Sequence, residues 1–189
     1  MRKLLVIAIT LLTTSAFAGF TGAGSGSGSP APQKFRAGLL LGNVALNSVP
    51  VKESKNAIGG GVSLGYSVNE ELGIELSYIQ SKHDDLKYKD YSLGAVYYFE
   101  SYDPFFFHLT GGVSFTNASD TLASGQEFSD TAFGLFAGIG ADIYTKRTMI
   151  IGLQTRYYKM FGSDKTVGNT AYTLVDDYWT VMMRVLFQF

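Results

Sequence analysis

The sequence contains no cysteine, which excludes disulfides, thiolate metal sites and a lipidated N-terminal cysteine. Only 16% of its residues are charged, and beyond the N-terminus no segment approaches the run of about 18 apolar residues typical of a membrane-spanning helix. Yet hydrophobic residues make up 46% of the chain and aromatic residues 14%, and there are 22 glycines. An apolar chain without a spanning helix can still cross a bilayer as a closed β-barrel, because the barrel pairs every backbone polar group internally.

The N-terminus has the features of a secretory signal peptide. Arg2 and Lys3 form a positive segment, residues 4–12 are apolar, and Ala16-Phe17-Ala18 gives the small-x-small cleavage pattern. We therefore predict that residues 1–18 are a signal peptide and that export delivers the chain to the periplasm. Removal of Arg2 and Lys3 leaves 13 Lys and Arg against 16 Asp and Glu, a net charge of −3. This mild charge gives no electrostatic reason to expect nucleic acid as a partner.

Residues 19–33 are almost entirely Gly, Ser, Ala and Pro, with a GSGSGS core. Such a composition cannot bury enough surface to order itself, so we predict a flexible periplasmic tether. No strand precedes these glycines and no helix follows them, which argues against a nucleotide-binding loop. The remaining residues, 34–189, are expected to form one outer-membrane β-barrel domain.

The segment from Lys34 onward divides into eight stretches in which apolar residues alternate with Gly, Ser, Thr and a few charges. The connections alternate in length. Short turns are expected near residues 69–71, 101–103 and 145–147, and longer polar loops near 47–56, 82–87, 117–130 and 162–177. An even strand number with short inner turns and longer outer loops is typical of outer-membrane barrels. We predict an all-β fold, an eight-stranded antiparallel transmembrane β-barrel with up-and-down meander topology.

The alternative is a soluble exported barrel with its apolar face inward, but the polar face has too few charges to be a water-facing surface. Its small residues suit the narrow lumen of eight strands instead. Aromatic residues fall towards the ends of the apolar face, where the two membrane interfaces lie. The predicted interfacial aromatics are Tyr66, Tyr78, Tyr91, Phe99, Phe105, Phe115, Phe133 and Tyr157.

The chain ends in alternating residues that include Trp179, Phe187 and the C-terminal Phe189. With this ending, the pattern over nearly all of residues 35–189 resembles the OmpA/OmpX/OmpW-type small outer-membrane barrels. The resemblance implies that Trp179, Phe187 and Phe189 act as a signal to the outer-membrane assembly machinery. It also implies a monomer surrounded by outer-membrane lipid, including lipopolysaccharide, in a Gram-negative-type bacterium.

Seven charged or titratable residues fall on the predicted inward face: Arg36, Glu75, Glu100, His108, Asp142, Arg156 and Arg184. A charge in a narrow, low-dielectric lumen is costly unless it is paired, so we expect a polar network there. Bulky residues, among them Tyr98, Phe136, Tyr158 and Tyr178, are expected to crowd the same space. The network either plugs and stiffens the barrel or forms a gated ion path.

We expect no enzymatic activity and no cofactor or metal. His108-Leu109-Thr110 is the nearest approach to a His-x-Ser deacylase arrangement, but Thr replaces Ser and the pair points inward. His83, Asp84 and Asp85 fall in a predicted loop, where carboxylates are usually solvated. The expected role is structural, in envelope integrity, or surface interaction through the longer loops with an unknown ligand. The alternative is a narrow channel for ions or small solutes.

Overall fold

A computed structural model describes residues 35–47, 54–99, 105–121, 127–146, 148–162, 165–167, 170–172, 175 and 177–189. The predicted signal peptide (1–18) and tether (19–33) lie outside these residues, so their boundaries stay predictions. The described part of the chain contains no helix that is long and apolar enough to cross a membrane.

The described residues form a closed antiparallel barrel of eight strands, which confirms the predicted fold class. Neighbours in the chain are neighbours in the sheet, apart from a small hairpin inserted before the last strand. The barrel strands are β1 Phe35–Leu46, β2 Asn56–Ser67, β3 Leu72–His83, β4 Leu86–Tyr98, β5 Phe105–Thr121, β6 Glu127–Lys146, β7 Met149–Phe161 and β10 Tyr178–Gln188. The inserted hairpin consists of β8 Lys165–Val167 and β9 Thr170–Tyr172.

The first and last strands close the barrel. Their register runs from Arg36 opposite Gln188 to Leu46 opposite Tyr178. Beyond it, Phe35 and the C-terminal Phe189 exchange two backbone hydrogen bonds, of 3.3 and 3.1 Å. Closure therefore extends to the last residue, and the barrel has no unpaired edge.

The outward face is mostly apolar, whereas the inward face combines polar residues with buried apolar ones such as Leu40, Ile150 and Met182. Tyr78, Tyr91, Phe115, Phe133 and Phe161 lie opposite one another in register on β3 to β7 and form one aromatic row. Phe105, near the other end of β5, is ten residues from Phe115. At about 3.4 Å per residue and a tilt of about 40°, this separation gives a height of about 26 Å. That is close to the apolar band of about 25 Å that outer-membrane barrels present to lipid.

The two ends of the barrel differ. At the turn end lie both termini of the barrel and the connections near residues 68–71, 100–104 and 147–148; at the loop end lie the other connections. Two predicted loops are wrong: β3 and β4 continue to a two-residue turn, Asp84-Asp85, and β5 and β6 continue to Thr121 and Glu127. These outer strand segments were missed because outward residues above the apolar band are polar, so the hydrophobic alternation disappears while the ladder continues.

Two adjacent glycines in β5 test how closely the strands pack. A Cβ at Gly112 would collide with backbone atoms of Leu93 and Gly94, whereas a Cβ at Gly111 would meet only the Phe136 carbonyl oxygen, 3.5 Å away. We predict that Gly112→Ala lowers the free energy of unfolding by about 1–3 kcal/mol, because the β4 backbone must move. Gly111→Ala is the matched control and should change it by less than about 0.5 kcal/mol. Urea unfolding in detergent, followed by gel mobility, measures both; equal losses would contradict the close approach.

Candidate functional site in the barrel lumen

The structure describes six of the seven residues predicted for the lumen network, and all six are buried. Each exposes 7% of its surface or less. They come from six different strands and point into the barrel: Arg36, Glu75, His108, Asp142, Arg156 and Arg184. Glu100, the seventh, lies outside the described residues.

Arg184 on β10 is at the centre of this network. Its Nε donates to Oδ1 of Asp142 at 2.8 Å, and its Nη2 donates to Oδ2 of the same carboxylate. This two-point pairing is the geometry in which a guanidinium and a carboxylate bind most strongly. Nη1 donates to Glu75 Oε2 and to Gln154 Oε1, both at 3.2 Å. One arginine thus connects β10 with β6, β3 and β7 across the lumen.

Glu75 on β3 is shared between two arginines. Its Oε2 accepts from Arg184, and its Oε1 accepts from Nη2 of Arg156 on β7. Arg156 also donates to Ser77 Oγ at 2.9 Å, and its guanidinium lies 4.9 Å from the ring centre of Phe136. The result is a continuous chain of ion pairs, Arg156–Glu75–Arg184–Asp142. These four residues, Arg36 and Tyr98 together are called the arginine cluster below.

Arg36 closes the arginine cluster at the turn end. It donates to the Tyr98 hydroxyl and to Ser67 Oγ, the latter at 2.5 Å, and Tyr98 also accepts from Arg184 at 3.2 Å. The arginine cluster therefore holds three guanidiniums and two carboxylates, an excess of one positive charge. His108 Nδ1 lies 3.7 Å from Asp142 Oδ2, longer than a hydrogen bond.

A second group of buried residues lies nearer the loop end and centres on Asp90, which the sequence analysis missed. Asp90 is 3% exposed and accepts hydrogen bonds from four hydroxyls. The donors are Ser92, Ser114, Thr116 at 2.9 Å and Tyr178 at 2.8 Å. The signal was available: Tyr91 faces outward, so Asp90 must face inward, but the predicted strand began only at Tyr91.

Aromatic rings surround this carboxylate and complete what we call the tyrosine cluster. Tyr158 and Tyr178 stack with ring centres 4.3 Å apart and planes 7° apart, and Tyr88 packs edge-on against Tyr178 at 5.2 Å. Phe136 lies 5.4 Å from Tyr158 and also contacts Arg156. The arginine and tyrosine clusters therefore form one contiguous column of side chains along the lumen.

Little space remains beside this column. A cavity of about 10 Å³ lies beside Arg36, Glu75 and Tyr98. This volume is about enough for one water molecule. At the turn end, the rings of Phe106 and Tyr144 pack 4.4 Å apart and add to the closure. Among the described residues, packed side chains therefore fill the lumen around the arginine cluster and at the turn end.

The residues predicted to act on the outer surface face outward. The eight predicted interfacial aromatics are exposed or half-buried, as are Trp179, Phe187 and Phe189. Ring pairs form between several of them, such as Tyr78 with Tyr91 at 5.0 Å and Phe115 with Phe133 at 5.2 Å. The roles of Trp179, Phe187 and Phe189 in assembly stay predictions.

Two acidic residues at the loop end connect neighbouring segments. Asp84, in the β3–β4 turn at φ 54°, accepts from the backbone N–H and the hydroxyl of Ser54 at 2.8 and 2.7 Å. These hydrogen bonds hold the Asp84 pKa below its usual value. Burial raises the pKa of Asp177, but hydrogen bonds from Lys159, Tyr157 and the Met160 N–H outweigh it and lower the pKa overall.

The residues considered for catalysis or metal binding are placed differently from the prediction in one case. His83 was expected in a loop, but it ends β3 and is fully buried, with Nδ1 2.9 Å from the Ser54 carbonyl oxygen. His108 and Thr110 are buried inside the lumen, away from the lipid-facing surface. Within the described ranges, no three His, Cys, Asp or Glu residues group as metal ligands.

The fold and the filled lumen define a small outer-membrane barrel. The family model described as outer membrane protein beta-barrel domain matches residues 4–178, so the chain belongs to this family and lies in the bacterial outer membrane. No curated protein sequence matches it significantly.

Solved structures share the fold at low sequence identity. Neisserial surface protein A (NspA) is 18% identical at a TM-score of 0.64, with 85% of this chain and 100% of that chain covered. OprG of Pseudomonas aeruginosa is 14% identical at 0.62, covering 85% and 99%. Ail, the attachment invasion locus protein of Yersinia pestis, is 17% identical at 0.55, covering 84% and 98%. At these identities the likeness concerns the fold alone.

The central position of Arg184 leads to a stability prediction. Arg184→Met should lower the free energy of unfolding by about 3–5 kcal/mol, because Asp142 loses its only arginine partner among the described residues and Glu75 loses one of two. Lys159→Met removes an exposed cation paired with Asp177 and should cost less than about 1 kcal/mol. Equilibrium urea unfolding in lipid vesicles compares the two. A loss for Arg184→Met no larger than that for Lys159→Met would argue against the network as the core of the barrel.

Proposed function

We propose that this protein is a non-conducting, non-catalytic barrel with a structural role in the outer membrane. The observation that carries the proposal is the contiguous column of the arginine and tyrosine clusters. The ion pairs of Arg184 join β10 to β3 and β6, and the ion pair of Arg156 with Glu75 joins β7 to β3. Such cross-lumen pairs stiffen the barrel, and they occupy the space that a solute would need.

The alternative is a narrow channel, in which the ion pairs exchange partners as an ion passes. It requires that Arg184 and Arg156 leave Asp142 and Glu75, which exposes buried charges without partners. The packed tyrosine cluster presents a second obstruction on the same axis.

Single-channel recording of the refolded protein in a planar bilayer tests the proposal. We expect no unitary current steps from protein whose folding is verified by its gel mobility before and after boiling. Reproducible steps that change when Arg156 or Arg184 is replaced would support the channel and overturn the closed lumen. Steps that neither replacement changes, and that heat-denatured protein also produces, would indicate leak around the barrel.

The proposal excludes catalysis on lipid because of where the candidate residues lie. His108 and Thr110 are 1% and 6% exposed and face the lumen, whereas a lipid substrate would lie against the outer surface. Lipid A that changes in cells producing the protein, and does not change with His108→Ala, would overturn this part of the proposal.

A second candidate role is surface interaction, and it is favoured by the length of two strands. β5 has 17 residues and β6 has 20, against 11 to 13 in the other barrel strands. The paired segments 116–121 and 127–132, which we call the β5–β6 arm, continue beyond the aromatic row. Thr121 is six residues past Phe115, so the arm rises about 16 Å above that row. Outer-membrane barrels place their longer connections outside the cell, so the arm is expected to face the surroundings.

The arm can be shortened while the β5–β6 pairing is kept up to Asn117 and Thr131. Asn117 and Thr131 are paired across it, with Asn117 Nδ2 donating to Thr131 Oγ1 at 2.9 Å, so an Asn-Gly turn can replace residues 118–130. We predict that this variant still folds and that cells producing it lose adhesion or phage sensitivity that the wild type confers. Unchanged adhesion and phage sensitivity, at equal surface amounts, would exclude the arm as the binding surface.

A further inference from the structure

Three lysines lie together on the outward face at the loop end of β3 and β4. Lys82 is opposite Lys87 in the strand register, and Lys89 is opposite Gln80. All three are exposed, and none forms an ion pair with another described residue. Lys82 is near Asp84 and contributes to that carboxyl's low pKa, but the Asp84 carboxylate already accepts two hydrogen bonds from Ser54. Like charges brought together in this way create a site for an anion.

The height of these lysines on the barrel is set by the aromatic row beneath them. Tyr78 and Tyr91 belong to that row, and Lys89 is two residues above Tyr91 in its strand. Lys82 and Lys87 are each four residues above their tyrosine. With the same rise and tilt, the three lysine side chains leave the backbone about 5 to 10 Å above the aromatic row. The headgroup layer of a bilayer lies at this level, so the ammonium groups can reach lipid phosphates.

Beside the lysines, the outer surface has a groove of about 410 Å³. One wall carries Lys82, Lys87, Lys89 and Gln80, and the other carries Leu41 and Ile58. The groove exists because Gly60 sits between Leu41 and Gln80 in the register and presents no side chain. A Cβ there would fit without a clash, making only ordinary van der Waals contacts with the Leu40 carbonyl oxygen at 3.7 Å and with Leu41 Cδ1 at 4.0 Å. A cationic wall facing an apolar wall matches an amphiphile that has an anionic head and an acyl chain.

We propose that this groove binds one phosphorylated lipid of the outer leaflet, with its phosphate on Lys82, Lys87 and Lys89 and the start of an acyl chain against Leu41 and Ile58. The occupant is of the lipid A class, because the phosphates of that lipid lie at the headgroup level where the lysines are. The proposal rests on the outer-membrane location and on the geometry of the outward face. It is independent of whether the lumen conducts.

The lysines are tested by changing their charge while keeping the fold. Native mass spectrometry of the refolded full chain in detergent measures binding of bisphosphorylated lipid A and of the same lipid without phosphates. Each lysine near a lipid surface contributes about fivefold to binding, so the triple Lys→Gln variant (Lys82, Lys87, Lys89) should bind about a hundredfold more weakly. The triple Lys→Arg variant retains the charges and should stay within about threefold of the wild type. The dephosphorylated lipid should bind the wild type as weakly as bisphosphorylated lipid A binds the Lys→Gln variant.

The groove is tested separately, with the lysines left in place. Gly60→Leu fills the space between Leu41 and Gln80 and should weaken binding of bisphosphorylated lipid A at least tenfold. Val62→Leu is the matched control, because it enlarges an outward residue two positions away on the same strand and outside the groove; its affinity should equal that of the wild type.

Several results would overturn the proposal. Equal affinity of the wild type and the Lys→Gln variant would exclude the lysines, and equal affinity of wild type and Gly60→Leu would exclude the groove. Displacement of the lipid by the same concentration of inorganic phosphate would show that the site recognises a free anion. Tighter binding of a soluble sulfated sugar than of lipid A would assign the lysines to a partner outside the membrane.

Discussion

The structure depends on one constraint: in a lipid bilayer each backbone N–H and C=O must find its partner within the protein. A β-sheet meets this requirement only when its first and last strands pair. Here that pairing runs the whole length of β10 and ends with Phe35 and Phe189 bonded to each other. With eight strands the closed sheet is narrow, so its interior has room for side chains and little else. Closure thus determines the lumen as well as the wall.

The narrow lumen also holds charged side chains, which adds a second requirement: each buried charge needs an opposite charge or hydrogen-bond partners. The two ends of the interior meet it differently. Near the turn end, Glu75 and Asp142 are compensated by the guanidiniums of Arg156 and Arg184. Near the loop end, Asp90 is surrounded by hydroxyl donors instead. Arg184 reaches from β10 to β3 and β6. The Tyr178 hydroxyl also reaches across the lumen, from β10 to Asp90 on β4, so both arrangements join strands that are not neighbours in the sheet.

The sequence predicted the elements that lie within the apolar band, because there the outward residues must be hydrophobic and the alternation is strict. It placed Arg36, Glu75 and Arg184 on the inward face for that reason. Beyond the band the same strands continue with polar residues on both faces, as around Lys87 and Asp90, and the hydrophobic signal ends before the ladder does. Which carboxylate meets which arginine was also beyond prediction, since Arg184 and Glu75 are far apart in the chain and adjacent only after the barrel closes.

The filled lumen bears on where this protein can act. Ring pairs pack inside the barrel from Phe106 and Tyr144 to Tyr88 and Tyr178. Our proposal of a closed lumen therefore assigns interactions with other molecules to the outer surface. The outer surface is apolar where lipid tails cover it. Above the aromatic row it carries the three lysines and, beside them, the β5–β6 arm. Both features stand on a wall that the arginine cluster braces from within. Mutations in that cluster would therefore disturb the outer sites indirectly, through the geometry of β3, and substitutions on the outward face are the ones that separate binding from stability.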